Sequence, residues 1–287
     1  MAIIPRDLVD IVPVSPPQVY LRLRELLSDP GTTTEDMARV IAVDPALTGR
    51  LLKLVNSAFY GLALPVETVS RAITVVGTQQ LAHLVLVTEA VSAFNGITTA
   101  LMDMDRFWRH SVYVGVVARI LAQQGRANNA EMYFTAGLLH DIGSLMIYHG
   151  IPDLAQEALY LSRKSNLPLH VAEQQVMDFD HAAVGAELMR AWHLPTPVTC
   201  AVEYHHAADR KYARDEYKAV GIVHLADALS SIAGATRTSE TGTGLVSQPY
   251  HGAWAMAGLS MELALKDVVD NADAQFEEAL SFLDFTR

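Results

Sequence analysis

The sequence is poor in cysteine, in aromatic residues and in charge. Of its 287 residues one is cysteine, Cys200, while 7% are aromatic and 18% are charged. A lone cysteine cannot form an internal disulfide, which favours a reducing compartment, and we expect a cytoplasmic protein. The first residues, Met1-Ala2-Ile3-Ile4-Pro5-Arg6, contain no basic region followed by an apolar core, so no secretory signal is predicted.

A basic excess and a long apolar run are also missing. Asp and Glu number 32 against 21 Lys and Arg, for a net charge of −11. This balance argues against direct nucleic-acid binding, which usually needs a basic face. The longest apolar stretches are short or interrupted, as by His83 within Leu81–Val87, so no membrane span is predicted. With 51% hydrophobic residues, the chain is instead typical of a globular protein with a substantial core.

Apolar residues recur at spacings of three and four, and no strand-like alternation is sustained, so an all-α fold is predicted. Asp44 and Pro45 favour a helix start, because aspartate caps helices and proline is tolerated at the first position. We expect that helix to end near Tyr60-Gly61. The other predicted helices with explicit bounds are Val19–Leu27, Val66–Val76, Gln79–Phe94 and Met261–Phe282.

Turn residues divide the predicted helices into three parts. Asn95-Gly96 marks a boundary, so we expect an N-terminal helical part over residues 1–100. A second helical part covers 101–233, and residues 234–287 form a loop rich in Gly, Thr and Ser, over Gly234–Tyr250, followed by the terminal helix. We expect the N-terminal part to pack on the second part.

Histidines and aspartates occupy core-facing positions on several helices of the second part. The candidates are His110, His140, Asp141, His181, His205, His206 and Asp227. Buried imidazoles and carboxylates need partners. Nitrogen and oxygen donors together suit one or two divalent transition-metal ions, such as Fe, Mn, Zn, Co or Ni. The alternative is ordinary hydrogen bonding, which is commoner for a single core histidine. It is the interpretation that we favour for His224, His83, His149, His170, His193 and His251.

These residues, in this order, resemble the HD superfamily of metal-dependent phosphohydrolases. The N-terminal half is similar to HDOD domains, which are HD-related output domains of bacterial signalling proteins. The segments that carry the resemblance are Asp44-Pro45 through Asn56-Ser57 to Tyr60-Gly61, Val69–Ile73, Phe107–Ser111, Gly137–Gly143, Asp180–Gly185 and Trp192–Pro195. The resemblance covers residues 8–232. It implies an N-terminal helical subdomain packed on an HD-type helical bundle.

The resemblance also implies a set of ligands. His110, His140, Asp141 and Asp227 correspond to the basic ligand set of the HD superfamily. His181, His205 and His206 match the additional ligands of the related HD-GYP phosphodiesterases, in which a second metal binds.

The sequence departs from the HD-GYP pattern at three places. Ser144 stands where those enzymes have a lysine that serves the phosphate, Arg106 stands in place of a glutamate, and the stretch after His206 lacks the Gly-Tyr-Pro signature. These departures argue against cyclic-di-GMP hydrolysis.

Two functions remain open from the sequence. The resemblance implies a non-catalytic regulatory module with signalling partners, either a sensor kinase or a transcriptional regulator. The alternative is a metal-dependent phosphohydrolase acting on a nucleotide or phosphodiester. In that case Arg106, Arg109, Lys211 or Arg214 is a candidate phosphate contact, although each is more typical of a solvated surface charge.

Overall fold

Local sequence signals begin several helices of the N-terminal part. In the computed structural model, Asp44 caps a helix whose first residue is Pro45. The structure describes residues 3–57, 60–62, 64–94, 96–97, 99–208, 214–230, 249–261 and 265–283. The Asp44 Oδ1 atom accepts hydrogen bonds from the backbone nitrogens of Ala46 and Leu47, at 2.8 and 3.0 Å. Such a cap satisfies backbone donors that the first helical turn leaves unpaired. The predicted start of this helix is therefore confirmed.

Six helices form the first part of the described chain. They are α1 (Pro5–Ile11), α2 (Gln18–Leu27), α3 (Thr34–Ala42), α4 (Pro45–Val55), α5 (Val69–Val76) and α6 (Thr78–Ala93).

Helix α4 ends at Val55, five residues before the predicted end. The cause is the Asn56 side chain, whose Nδ2 donates to the Val66 carbonyl oxygen (2.8 Å) and whose Oδ1 accepts from the Val66 nitrogen (2.6 Å). These two bonds replace continued helix with a closed loop, and the next helix starts only at Val69.

The remaining described residues contain ten further helices. They are α7 (Met104–Gln124), α8 (Ala130–Leu139), α9 (Ile142–Gly150), α10 (Pro152–Ser165), α11 (Leu169–Met177), α12 (His181–Ala191), α13 (Thr196–Tyr204), α14 (Arg214–Ser230), α15 (His251–Ala257) and α16 (Leu265–Leu283). The predicted turn residue Asn95 and most of the predicted loop, residues 234–248, lie outside the described residues. Helix α15 was not predicted from the sequence.

Helix α7 lies at the centre of the packing and is almost entirely buried. It packs against α8, α14 and α16, so helices distant in the sequence meet on its different faces. One hydrophobic cluster extends from Leu8 in α1 to Ala279 in α16. No strand occurs in the described ranges, and the predicted all-α fold is confirmed. The boundaries of the three predicted parts stay a prediction.

None of the helices in the described part of the chain combines the length and the hydropathy that a bilayer crossing requires.

Candidate metal centre

The seven predicted ligands lie on five segments of the fold that come together around His110 of α7. His110 lies within α7, His140 and Asp141 lie at the junction of α8 and α9, and His181 is the first residue of α12. His205 and His206 follow α13, and Asp227 lies within α14. Their ligand atoms form two groups, each with all atoms within 4.8 Å of one another: Asp141 with His181, His205 and His206, and His110 with His140 and Asp227.

Backbone carbonyls fix the orientation of two of the imidazoles. His140 Nδ1 lies 2.7 Å from the Gly137 oxygen, and His205 Nδ1 lies 2.7 Å from the Val202 oxygen. Because a carbonyl oxygen only accepts, each Nδ1 must carry the proton. Each Nε2 then points into the centre, where it is buried and makes no well-aligned hydrogen bond. Such an Nε2 can donate a proton to a carboxylate or offer a lone pair to a cation.

Asp141 lies between the two groups and offers one oxygen to each. Its Oδ2 lies 3.0 Å from His140 Nε2 and 3.6 Å from His110 Nε2. Its Oδ1 lies 3.2 Å from His181 Nε2 and 3.3 Å from His205 Nε2. Burial would raise the pKa of Asp141, but the surrounding histidines, above all the charge of His140, hold the pKa well below its ordinary value. Asp141 is therefore an anion with four imidazoles around it.

A close approach of two helices brings His181 to Asp141. A Cβ atom at Gly143 would lie 2.0 Å from the His181 carbonyl oxygen and 2.6 Å from the Gly185 nitrogen. Only glycine allows the start of α9 to pass this close to the start of α12. The glycine of the His-Asp-Ile-Gly sequence thus sets the distance between the ligands on the two helices.

Glu173 is a buried partner of His181 that the sequence analysis missed. Its Oε2 accepts hydrogen bonds from His181 Nδ1 at 2.6 Å and from the His181 backbone nitrogen at 2.9 Å. Burial would lower the pKa of His181, but the charges and hydrogen bonds of Glu173 and Asp141 raise the pKa well above its ordinary value. A carboxylate behind a ligating histidine is a common way to orient the ring. The signal in the sequence is the position of Glu173 on the apolar stripe of α11, four residues after Leu169 and four before Met177.

His170, which is not among the predicted ligands, lies beside them, because its ring stacks on that of His206. The two centroids lie 4.0 Å apart with an interplanar angle of 15°. Burial, together with the charges of nearby histidines, lowers the pKa of His170 to about 4 and holds the pKa of His206 well below its ordinary value. His206 Nε2 lies 2.9 Å from His181 Nε2, so the neutral His206 ring faces His181 within the Asp141 group.

His110, Asp227 and His206 are the partly exposed members of the centre. The side chains of His110 and Asp227 are 14% and 15% exposed, whereas those of His140, Asp141, His181 and His205 are exposed by 6% or less. His110 Nε2 lies 3.5 Å from Asp227 Oδ1, and Ser230 Oγ lies 3.5 Å from His110 Nδ1. Of these residues, His110 also lines a cavity that opens on the surface.

The donor set fits divalent transition metals. Imidazole nitrogen with carboxylate oxygen suits Fe, Mn, Zn, Co or Ni better than an all-oxygen cage would. The buried Nε2 atoms of His140 and His205, without well-aligned hydrogen bonds, are the donors that a cation would satisfy. The two groups on either side of Asp141 would accommodate one ion or two.

The chain matches the family model of the HDOD domain over residues 14–208. The chain belongs to the HDOD family. The match includes His110, His140, Asp141, His181, His205 and His206, while Asp227 and α16 lie beyond it.

Solved structures share the HDOD fold at 20–22% sequence identity. An HDOD domain protein from Geobacter sulfurreducens superposes with a TM-score of 0.73 and 22% identity, covering 94% of this chain and 92% of that one. A provisionally named phosphohydrolase from Shewanella amazonensis SB2B gives a TM-score of 0.73 and 22% identity, over 98% and 97% of the two chains. A provisionally named signal-transduction protein from Marinobacter aquaeolei VT8 gives 0.71 and 20%, over 99% of this chain and 62% of the other.

A curated relative is considerably longer than this chain. An uncharacterized protein of Treponema pallidum (strain Nichols) is 29% identical over 214 residues, which cover 74% of this chain. The matched region spans 40% of the length of that protein.

The structure distinguishes the residues that the sequence analysis considered as phosphate contacts. Arg109 points to α16, where Nη2 pairs with Glu277 Oε1 at 2.9 Å. Arg106 lines a cavity together with His110. Lys211 and the side chain of Arg214 lie outside the described residues.

Ser144 and His224 have other surroundings. Ser144 is fully buried, so its hydroxyl does not face solvent at the mouth of the centre. His224 bonds the His205 carbonyl oxygen through Nδ1 (2.7 Å) and accepts from the Tyr250 nitrogen at Nε2 (2.9 Å). Both of its nitrogens are thus engaged in holding segments of the fold together.

The predicted seven residues are brought together, and the role of each as a metal ligand stays a prediction.

Proposed function

We propose that this HDOD chain is a bacterial signal-transduction output module that binds divalent metal, acts through protein partners and catalyses no reaction of its own. Metal binding is supported above all by one observation: the buried Nε2 atoms of His140 and His205 face inward beside the Asp141 carboxylate. The regulatory role rests on membership of the HDOD family and on the name of the Marinobacter neighbour. A sensor kinase or a transcriptional regulator is the partner class that we propose.

The absence of catalysis rests on the surroundings of the centre. Ser144 is buried, and as a serine it supplies no cation to a phosphate, in contrast to the lysine of the HD-GYP enzymes. The metal would hold α7, α8, α12, α13 and α14 in one arrangement, because the proposed ligands come from these helices or their ends. Binding energy of this kind adds directly to the stability of the folded state.

A metal-dependent phosphohydrolase is the second candidate, and one observation favours it. Asp141 offers one oxygen to each of two ligand groups, an arrangement suited to two ions. Ions in such a pair activate water and neutralise charge on a phosphoester. His110 would then be a ligand next to the substrate, because it is partly exposed and lines a cavity.

Three forms of the protein separate these functions: the wild type, Asp141→Asn and the control Asp178→Asn. Asp178 is exposed and has a φ of 65°, a conformation that asparagine adopts readily. We expect stoichiometric transition metal in the wild type and the control, and its loss in Asp141→Asn, as measured by elemental analysis. Absence of bound metal in the wild type after purification and reloading with Mn²⁺ or Fe²⁺ would refute the metal centre.

Turnover by the Mn²⁺- and Fe²⁺-loaded proteins decides between the two functions. We expect no hydrolysis of any member of a panel of nucleotides and phosphodiesters, followed as phosphate released from the nucleotides and as monoester formed from the phosphodiesters. We also expect expression of the wild type to alter transcript levels in its host. Turnover that Asp141→Asn abolishes and Asp178→Asn preserves would establish the phosphohydrolase in place of the non-catalytic module.

A further inference from the structure

A cavity opens at the exposed edge of the candidate metal centre and carries two arginines. It has a volume of about 210 Å³, and its lining includes His110, Phe107, Arg106 and Arg163. We propose that this cavity binds the phosphate group of a small phosphate monoester, held by Arg106 and Arg163 against the His110 edge. The proposal rests on the proposed metal centre for its inner wall and names the ligand class that this wall would meet.

The two arginines reach the cavity from different helices. Arg106 lies one turn before His110 on α7, so the two side chains share a face of that helix. Arg163 belongs to the last turn of α10 and is exposed. A guanidinium group offers a planar fork of donors that matches phosphate oxygens, and two such groups can bind one phosphate from two sides.

The local charge of this cavity contrasts with that of the whole chain. The net charge of −11 repels anions in general, so an anion-binding site requires cations concentrated in one place. Arg106, Arg163 and a metal at the centre would provide such a concentration. Asp103 also lines the cavity, where its Oδ1 caps α7 by accepting from the backbone nitrogens of Asp105 and Arg106. Its negative charge offsets one of the two guanidinium charges, so the arginines leave the lining with one positive charge in excess.

A wider groove continues from the cavity and determines which kind of phosphate compound fits. The groove has a volume of about 630 Å³ and shares Leu101 and Arg163 with the cavity. Its lining also includes Asp153, Glu157 and Tyr160, whose side chains are exposed. The two carboxylates would repel a second phosphate and would accept hydrogen bonds from hydroxyl or amino groups.

The exposed Tyr160 ring adds an apolar surface to the groove. The residue is 63% exposed, and Lys164 Nζ lies 5.5 Å from the centre of its ring. A flat ring on the ligand can stack on such a surface. The groove therefore favours a monoester whose other end carries hydroxyl or amino groups and a ring, as in a nucleoside monophosphate, over a polyphosphate.

Calorimetric titration of the metal-loaded protein tests this proposal with adenosine monophosphate, glucose 6-phosphate, inorganic phosphate, adenosine triphosphate and adenosine as probes. We expect the monophosphates to bind, adenosine to bind at least tenfold more weakly, and adenosine triphosphate to have no advantage over the monophosphate. Arg106→Gln and Arg163→Gln should each weaken monophosphate binding by roughly tenfold or more, since each removes charge-assisted hydrogen bonds. The control is Arg39→Gln, which makes the same charge change on α3, where Arg39 pairs with Asp36.

Elemental analysis of the same samples keeps the outcomes apart. Metal-loaded wild type that binds none of the phosphates overturns the ligand site and leaves the metal centre standing. Equal weakening by the control and by the two test variants, or no weakening by either test variant, also overturns it. Binding that survives chelation with its dependence on both arginines intact would support the anion site while refuting the metal as its inner wall.

Discussion

Replacement of Glu173 by glutamine tests whether a buried carboxylate orients His181 for metal binding. Glu173 is fully buried, and its Oε2 atom accepts both from His181 Nδ1 and from the His181 backbone nitrogen. The Oε1 of a glutamine can occupy the same place and accept both bonds. The substitution therefore removes the negative charge and preserves most of the geometry.

We expect the substitution to lower the metal affinity of the group formed by Asp141, His181, His205 and His206. Partners behind ligating residues typically contribute 10- to 100-fold in metal affinity, which is about 1.4–2.7 kcal/mol. The other oxygen, Oε1, is buried without a hydrogen-bond partner. An NH₂ group there would be an unsatisfied donor, so the metal-free variant should also be destabilised by about 1–3 kcal/mol.

Calorimetric titration of the chelator-stripped Glu173→Gln protein with Mn²⁺ or Zn²⁺ measures its metal affinity. Urea denaturation measures its stability. The control is Glu187→Gln on α12, where Glu187 accepts from the partly exposed Arg190 at 2.9 Å. A surface pair of this kind contributes about 0–1 kcal/mol and should leave metal affinity unchanged. Wild-type metal affinity in a destabilised Glu173→Gln protein would refute the reasoning, because Glu173 would then serve the fold alone.

Two further substitutions test the close helix approach and a buried histidine. Gly143→Ala should destabilise the protein by about 3 kcal/mol in urea denaturation, because the new Cβ would meet backbone atoms of α12 that cannot move aside. The control is Gly49→Ala on the exposed face of α4, where no atom lies within 4 Å, and it should instead stabilise the protein by up to about 1 kcal/mol. Equal effects of the two substitutions would contradict the packing argument. Burial lowers the pKa of His83 from its ordinary value of 6.5 to about 4. The unfolded chain therefore binds a proton at this residue more readily than the folded protein does. The contribution of neutral His83 to stability is complete above pH 6.5 and is lost as the pH falls towards 4. The wild type should therefore lose about 2 kcal/mol more stability than His83→Leu between pH 7 and pH 5, as measured by denaturation at each pH, and parallel pH profiles of the two proteins would refute the lowered pKa.

Features that depend on neighbouring residues could be predicted from the sequence. The cap of α4 follows a local rule, since Asp44 satisfies donors two and three residues ahead of it. The burial of His140 and His205 follows from periodicity, because apolar residues share their helix faces. The convergence of the predicted ligands could be anticipated from the resemblance to the HD superfamily, whereas spacing alone does not place one helix beside another.

Features that depend on residues distant in the sequence could not be predicted in this way. Helix α4 ends early because Asn56 bonds to Val66, ten residues ahead, and no period in the sequence encodes that loop. The stacking of His170 on His206 was not predicted, since this contact forms only when α11 lies beside the end of α13. Glu173 has a visible signal, a carboxylate on an apolar stripe, but its partner emerges only from the packing of α11 against α12.

A buried ion pair ties the N-terminal part to the helices that carry the candidate ligands. Arg119 Nε on α7 donates to Glu131 Oε1 on α8 at 3.1 Å, and the hydroxyl of Tyr60, after α4, donates to the same oxygen at 3.1 Å. Burial and the charge of Glu131 raise the pKa of Tyr60 well above its ordinary value, so the phenol keeps the proton that it donates.

Loss of one member of such a buried network leaves a charge uncompensated, at a cost of about 3–5 kcal/mol. Glu131 lies in the first turn of α8, and His140 follows the last residue of that helix, about 13 Å away at the rise of an α-helix. Arg119 lies on α7, which also carries His110. A partner that displaced Tyr60 would remove a hydrogen bond from Glu131, whose pair with Arg119 joins α8 to α7. The segment that ends at Tyr60-Gly61 contributes no candidate ligand. Through Glu131 it nevertheless contacts the helices that lead to His110 and His140.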